Sequence, residues 1–573
     1  MKVSDYIVRL LNDNKINTIF GHIGGFNADI VDSFHSNSIN RFILGYHEQA
    51  SAFAANAYAV VSDGLGVAMS SGAPSSCNLI AGIANAYFDS NACLFIVGSV
   101  HSKAVRQSKS IRQNAFEEVD MCGLVSDITK YAVKIDNVTE IRYEIEKAIY
   151  TATHGRRGPV LVDIPYDIAR SDIDESQLKG FIPSNSLMSD ETISNAYLEN
   201  VREIISHSRK PIILVGGGAR HGDSRKLLKQ FLDKVQIPVV ASLCGLDVLS
   251  HDHECFVGFV GHYGNRYANI ALANADCVII LGSRLDERQM GGYKSHFAAD
   301  AKLIRVDIDK NEINRRFQET VSIYGDVEKF LVDIITLNLE KRDFRKWLST
   351  IAQWKKRYPS IDFNRGQVNA NNFLYTISDY LTEDAVICSD VGQNQMSVAQ
   401  SLRLDGNRLL LNSAGYGSMG FSLPAAIGAA YARQSMIVSI NGDGGLQMNI
   451  QELQTLVRDN LPVNVIVLNN NCLGMIRNLQ KNIFNNRTYV SVDGYSCPDY
   501  SGIAKAYGIP YLRIDSEDKY CDFSSFVSST HPTFTEVVIP FGDNNPEPGG
   551  MLDKQKPFLS EEDCNLIQKE TGL

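Results

Sequence analysis

The clearest chemistry in the chain lies between Ile440 and Arg477. One apolar run ends in Asn441-Gly442-Asp443-Gly444-Gly445, and a second, "VNVIVLNN" at 463–470, ends in consecutive asparagines. A carboxylate in a glycine turn and an amide oxygen are hard ligands suited to Mg²⁺, an ion that ordinarily bridges a protein to phosphate oxygens. For the two to act together they must stand at the carboxyl ends of neighbouring parallel strands. That edge is where open α/β sheets bind ligands and where helix N-termini attract phosphate. A helix expected near "NIQELQTL" supplies the crossover between the two strands. Either stretch alone reads as a turn or a loop; Gly-Asp-Gly followed after twenty-four residues by Asn-Asn is specific.

Elements able to hold such a site recur three times along the chain, as short aliphatic or β-branched runs alternating with amphipathic helices. The pattern predicts an α/β protein of three doubly wound parallel-sheet domains. The first, 1–170, has strands at 66–71, 93–99 and 159–165. A polar linker follows at 171–191. The second, 192–335, has strands at 211–218, 237–242, 276–283 and 302–309, and a charged linker spans 336–364. The third, 365–545, has strands at 385–390, 436–443, 463–470 and 533–540. Residues 546–573 read as a tail or a lid.

A length of 573 residues exceeds what one core can organise. Net charge of −10 with no basic run argues against nucleic acid or an anionic membrane as partner and favours small molecules. No apolar run approaches the ~20 residues of a membrane helix, and the N-terminus shows helical spacing (Val3, Ile7, Leu10, Leu11) without a signal core, so a cytoplasmic protein is expected. Eleven cysteines without a CxxC or CxxH pair read as reduced thiols, not a zinc site.

The Gly442–Asn470 pattern resembles the diphosphate-binding motif of thiamine diphosphate (ThDP) enzymes. "GYHEQASAFAANAYA" (45–59), "SSGAPSSCNLIAGIANAYFDS", "GPVLVDIP", "DVGQNQMSVAQ" and "GYGSMGFSLPAAIGAA" resemble further signatures of the acetolactate (acetohydroxyacid) synthase large-subunit branch. The resemblance implies a pyrimidine-binding first domain, a central FAD-binding-like domain and a diphosphate-binding third domain. It further implies Mg²⁺ on Asp443, Asn470 and the Cys472 carbonyl, with Gly442, Gly444, Gly445, Gly474 and Met475 around the cofactor. Val391, Gly392, Gln393 and Asn394 match the diphosphate turn, where related synthases usually carry His at Asn394. Glu48 would hydrogen-bond the pyrimidine N1′, so that the cofactor's own 4′-nitrogen becomes the base; its apolar helix suggests burial and partial protonation. Met419 would bend the cofactor and the Gly417 carbonyl would hold its 4′-amino group. Such sites are built from two chains, which implies a homodimer or a dimer of dimers.

The acceptor side departs from the pattern. Phe116 matches a family Phe, but Glu117 replaces the usual Gln, and Leu479 stands where biosynthetic synthases carry a Trp. In the Gly-Gly substrate loop around Gly25, Phe26 replaces a small residue. The implied reaction is decarboxylation of pyruvate and transfer of the resulting hydroxyethyl carbanion to a carbonyl acceptor. That acceptor is either a second pyruvate or an aldehyde or keto-sugar, and a carboxylate at 117 disfavours the first. A simple 2-ketoacid decarboxylase is the weaker alternative, because the chain has no adjacent His pair; a peroxide-forming oxidase and a non-catalytic cofactor-binding subunit complete the alternatives.

In the middle segment, "LVGGGARHG", "LGSRLDERQ", "RVDIDKNEI" and "YGDV" occur in series. Together they resemble the FAD-binding domain of acetohydroxyacid synthases and imply Gly216, Gly217, Gly282, Ser283, Arg284, Asp286, Asp307 and Asp326 near a flavin, with Arg284 on its diphosphate. Several family members keep this domain without flavin, which leaves the alternative open. Carboligation involves no net oxidation, so a bound flavin would be structural.

Overall fold

The structure, a computed structural model, describes all residues except 37–40, 109, 184–192, 292–296, 338–342, 364–365, 542–560 and 572–573. Part of each expected linker and most of the expected tail therefore lie outside the described residues. Three parallel six-stranded sheets follow one another along the chain. The first contains β1 (Thr18–Gly21), β2 (Arg41–Leu44), β3 (Gly66–Ser71), β4 (Cys93–Ser99), β5 (Tyr131–Lys134) and β6 (Pro159–Pro165), in the order β2-β1-β3-β4-β6-β5. The second contains β7 (Pro211–Val215), β8 (Val239–Ala241), β9 (Phe256–Phe259), β10 (Cys277–Leu281), β11 (Lys302–Asp307) and β12 (Val321–Tyr324), in the order β12-β11-β10-β7-β8-β9. The third contains β13 (Val386–Ser389), β14 (Leu409–Asn412), β15 (Ile437–Gly442), β16 (Val463–Asn469), β17 (Tyr511–Ile514) and β18 (Thr533–Val538), in the order β14-β13-β15-β16-β18-β17.

The strands expected from sequence are all present, and they are the central ones. Helices cover both faces of a parallel sheet, so its inner strands are continuous apolar runs. The seven strands without a sequence signal, β1, β2, β5, β9, β12, β14 and β17, are four residues each. Six of them are the sheet edges. Edges such as β5 and β17 are partly exposed and carry mixed side chains.

The first and third domains share a core. The alanine-rich helix Glu48–Ser62 packs on Ser422–Ala432, and a Cβ at Gly428 would lie 2.0 Å from the Ala54 carbonyl oxygen, so only glycine permits this approach.

Two sequence expectations need correction. The helix Arg345–Arg357, inside the expected 336–364 linker, belongs to the middle domain: Trp347 and Trp354 are fully buried against its apolar cluster. The final helix, Glu561–Thr571, in the segment expected to be a tail or a lid, packs on the middle domain. Ile567 lies in the same cluster as Trp347 and Trp354, Trp354 Nε1 donates to Glu570 Oε2 at 2.8 Å and Arg357 pairs with Glu570 at 2.7 Å. Apolar burial of a kind that sequence charge had masked decides both placements.

Candidate functional site

A doubly wound sheet opens a crevice where its strand order reverses, because the chain leaves the two central strands in opposite directions. Those reversals fall between β1 and β3, between β7 and β10, and between β13 and β15. The candidate residues gather at these three points. Gly24, Gly25 and Ser71–Gly72 follow β1 and β3; Gly216–Gly217 and Gly282–Ser283 follow β7 and β10; Asp390–Gln393 and Asp443 follow β13 and β15.

At the third crevice β15 and β16 are neighbours, with Gly442 opposite Leu468, which brings Asp443 and Asn470 to one edge. Asp443 opens a one-turn helix, Asp443–Leu446, and the longer helix follows only at Leu453–Arg458, later than expected. Its carboxylate is buried and accepts from Gly444 N (2.8 Å) and the Cys497 thiol (3.2 Å). Burial pushes this carboxyl above its ordinary range, against those hydrogen bonds. No Lys or Arg among the described residues pairs with it, so the site has one buried anionic group facing no cation. Asn470 donates to Gln393 Oε1 (3.0 Å) and accepts from Cys472 N (3.2 Å). A Cβ at Gly474 would fall 1.9 Å from Gln393 Oε1, so this glycine lets the diphosphate turn close on the Asn470–Cys472 loop. Met475 is partly buried behind them.

Gly392, at φ +92°, turns the chain into the helix Gln393–Ser401. Asn394, at the position where relatives carry His, is structural in part: its Nδ2 donates to the Asp390 and Ile440 carbonyls (3.1 and 3.2 Å), tying the ends of β13 and β15. Met419 reaches toward Gly444, while Gly417 (φ +75°) stands open. The loop carrying them is anchored from the first domain, with Ala414 N and Gly415 N donating to Asp89 (3.1 and 2.7 Å).

Asp390 had no sequence signal beyond its place in "DVGQNQ", yet it organises this edge. It is fully buried and accepts from Val391 N (2.7 Å), Gly420 N (2.9 Å) and Ser422 N (3.4 Å). Gly445 lies directly against its carboxylate, which has no space for a Cβ there. Burial pushes its carboxyl up to about 7, against these backbone donors. One side chain thus fixes the diphosphate turn, the Met419 loop and the Gly444–Gly445 turn relative to each other.

In the first domain Glu48 begins its helix and is buried as expected, with Asn78 Nδ2 donating to Oε2 at 2.9 Å. The expected partial protonation is not what its surroundings favour. Burial raises the carboxyl, but hydrogen bonds from Asn78, Ser75 and its own backbone N–H outweigh it and hold it below the ordinary range. Glu452 of the third domain accepts from Tyr46 N and His47 N (2.9 and 3.0 Å), fixing the approach to Glu48. Gly25 is exposed with open space beside it; Gly24 is the sterically required glycine, since its Cβ would meet Ser71 Oγ at 2.6 Å. Glu117, at φ +60°, lays its carboxylate over Gly72, beside Phe26. Phe116 is 83 % exposed and Leu479 45 % exposed, so the chain alone packs neither against the other candidates.

The middle crevice opens into a cavity of about 400 Å³. Gly217, Gly282, Ser283, Arg284, Asp286, Asp307 and Asp326 line it; Gly216 lies one residue away, its missing Cβ allowing the Gly282 carbonyl to approach. Asp307 is fixed by the fully buried Arg305 (3.2 Å), which also donates to the Ser283 carbonyl (2.9 Å). Asp326 is spent on capping the helix Val327–Thr336. Arg288, which sequence reasoning missed, lines the cavity and pairs with no carboxylate among the described residues. Only its surroundings reveal it, since an Arg two residues beyond an Asp carries no signal.

Comparison with known proteins agrees with this geometry. The chain matches the N-terminal TPP binding domain of thiamine pyrophosphate enzymes over residues 1–124, their central domain over 198–334 and their C-terminal TPP binding domain over 390–537. It is 33% identical over 541 residues to an acetolactate synthase large subunit of Lactococcus lactis, covering 94% of this chain and 92% of the relative. It is 33% identical over 574 residues to a probable acetolactate synthase large subunit of Methanocaldococcus jannaschii, covering 96% and 94%. Three domain matches in the order of the three sheets, and relatives spanning nearly the whole chain, place it: the protein belongs to the thiamine pyrophosphate-dependent enzymes, in the acetolactate synthase large-subunit branch.

Proposed function

We propose that this ThDP-dependent carboligase takes a two-carbon unit from pyruvate and delivers it to a carbonyl acceptor, with ThDP and Mg²⁺ held at the third crevice. The carrying observation is the buried Asp443 carboxylate, which faces no cation and sits beside the Asn470–Gln393 bracket. A hard divalent ion suits this donor set of carboxylate, Asn470 amide oxygen and Cys472 carbonyl. When bound, ThDP supplies the nucleophilic carbon and the electron sink for loss of CO₂.

The chain's own groups do the rest. Val391, Gly392 and Gln393 present a turn and a helix N-terminus to a diphosphate. Met419, against Gly444, provides an apolar support for the bent cofactor. An ionised, hydrogen-bonded Glu48 is an acceptor poised to hold a proton at the pyrimidine N1′. Glu117 and Phe26 restrict the acceptor side, and the carboxylate there favours an aldehyde or keto-sugar over a second pyruvate.

A second copy of the chain completes the site in this reading, because apolar candidates lie bare: Phe116 at 83 % and Leu479 at 45 %. FAD would occupy the middle cavity as a structural group, with Arg284 on its diphosphate. Absorbance of the purified protein tests that part.

The function is tested by supplying ThDP, Mg²⁺ and pyruvate, alone or with an acceptor panel, and following CO₂ and products by mass spectrometry. Rapid acetolactate formation from pyruvate alone removes the acceptor argument. No CO₂ with any acceptor removes the carboligase reading. Mixing Glu48→Gln with Asp443→Ala chains tests the two-chain site: activity regained on mixing supports it, and none from a verified mixed dimer refutes it.

A further inference from the structure

Outside the middle cavity, where the three domains meet, a wider cleft of about 840 Å³ opens toward Gly417. Seven cationic side chains and four carboxylates line it, in a protein whose net charge is −10. Much of the cationic charge is neutralised: Arg156 pairs with Asp309 (2.9 Å), Arg315 with Glu312 (2.7 Å), Arg157 with Asp63 (2.6 Å) and Arg284 with Asp286 (3.4 Å). Three cations are left. Lys130, Arg288 and Arg316 pair with no carboxylate among the described residues, and Arg316 Nε is buried without a hydrogen-bond partner. Among the described residues Lys130 donates only to the carbonyls of Thr151 and His154. One wall is a flat aromatic pair, Phe88 and Tyr416, stacked at 5.7 Å and 5° and left 37 % and 45 % exposed.

A concentration of unpaired cations in a concave site focuses potential against the charge of the whole molecule. Guanidinium groups hold phosphate oxygens in charge-assisted pairs. The cleft is far larger than a three-carbon keto acid needs and falls in the range of sites for larger ligands. We propose that it binds the anionic, phosphate-bearing end of the carbonyl acceptor, leaving the acceptor's carbonyl directed toward Gly417. The proposal rests on the carboligase reading. The phosphate is a spectator: the new carbon–carbon bond forms at the acceptor's carbonyl carbon, the carbonyl oxygen takes up one proton, and no bond to phosphorus changes.

Two arms test it. In the first, protein loaded with ThDP and Mg²⁺ is titrated with inorganic pyrophosphate by calorimetry. Saturable binding is expected, weakened about tenfold in Arg316→Gln and restored in Arg316→Lys. Absence of binding, or binding indifferent to Arg316→Gln, overturns the site whatever the enzyme turns over. In the second, dihydroxyacetone and dihydroxyacetone phosphate are compared as acceptors with pyruvate. A preference of about tenfold in kcat/KM for the phosphate ester, falling toward parity in Arg316→Gln, supports the assignment; equal use of both overturns it. Failure of both acceptors with pyrophosphate binding intact counts against the carboligase reading and leaves the anion site standing. If Arg316→Gln instead releases bound flavin, the cations serve the flavin diphosphate and the proposal fails.

Discussion

Replacing Asp390 with Asn should loosen the cofactor site without adding or removing any group proposed to touch the cofactor. The carboxylate accepts from three backbone N–H groups whose only shared acceptor it is, on two segments that must keep register: Val391 on one, Gly420 and Ser422 on the other. An amide of the same shape offers one acceptor oxygen and turns an NH₂ toward donors that cannot receive it. At least one buried N–H on each side loses its partner. With about 1–3 kcal/mol per unsatisfied buried donor, two such losses cost about 2–6 kcal/mol. If even about 1.4 kcal/mol of this is felt as disorder of the Val391–Gln393 turn, ThDP binds tenfold more weakly. The assay is calorimetric titration of apoprotein with ThDP at saturating Mg²⁺, alongside thermal melts with and without cofactor. Gly445→Ala, pressing on the same carboxylate at 2.8 Å, should move affinity the same way. An Asp390→Asn protein that melts lower yet binds ThDP within twofold of wild type would refute the coupling of these loops through one side chain.

Three further outcomes follow from the geometry. Glu452→Ala removes the acceptor for Tyr46 N and His47 N in a buried position and should cost about 2–4 kcal/mol; a melting temperature unchanged from wild type would contradict it. Gly428→Ala places a Cβ 2.0 Å from the Ala54 carbonyl, and backbone cannot retreat cheaply, so about 1–3 kcal/mol is lost and the first and third domains should melt earlier, as read by limited proteolysis. His251 is partly buried, stacked on Phe256 and bonded to the Leu246 carbonyl, and desolvation pushes its imidazole down to about 3 from 6.5. A depressed base contributes stability that is present above pH 6.5 and lost as pH falls toward the folded value, about 2 kcal/mol by pH 5. His251→Gln should flatten that acid slope in thermal melts between pH 7.5 and pH 5, and equal slopes in both proteins would exclude His251 as its source.

The extent to which the protein was legible in advance follows from burial. Strands such as β4, β6, β10 and β16 are covered on both faces, so their sequences are predominantly apolar runs; the four-residue edges β2, β5, β12 and β17 are partly exposed and resemble loops. Asp443 and Asn470 were visible because a glycine turn and an asparagine pair at adjacent strand ends have few other uses. Arg345–Arg357 read as a connector because its charges are conspicuous, whereas Trp347 and Trp354 on its other face decide where it goes.

The sequence by itself determined the three α/β units, their family and the residues at the Asp443–Asn470 edge, since those depend on patterns local to a strand and the turn that ends it. Tertiary structure alone decided the ionised state favoured for Glu48, the clamp made by Asp390, the docking of the final helix and the unpaired cations of the outer cleft. Each of these depends on which groups from distant segments share a buried or concave space. Hydrogen bonding, desolvation and charge pairing are set there by neighbours in space, which a linear pattern does not record.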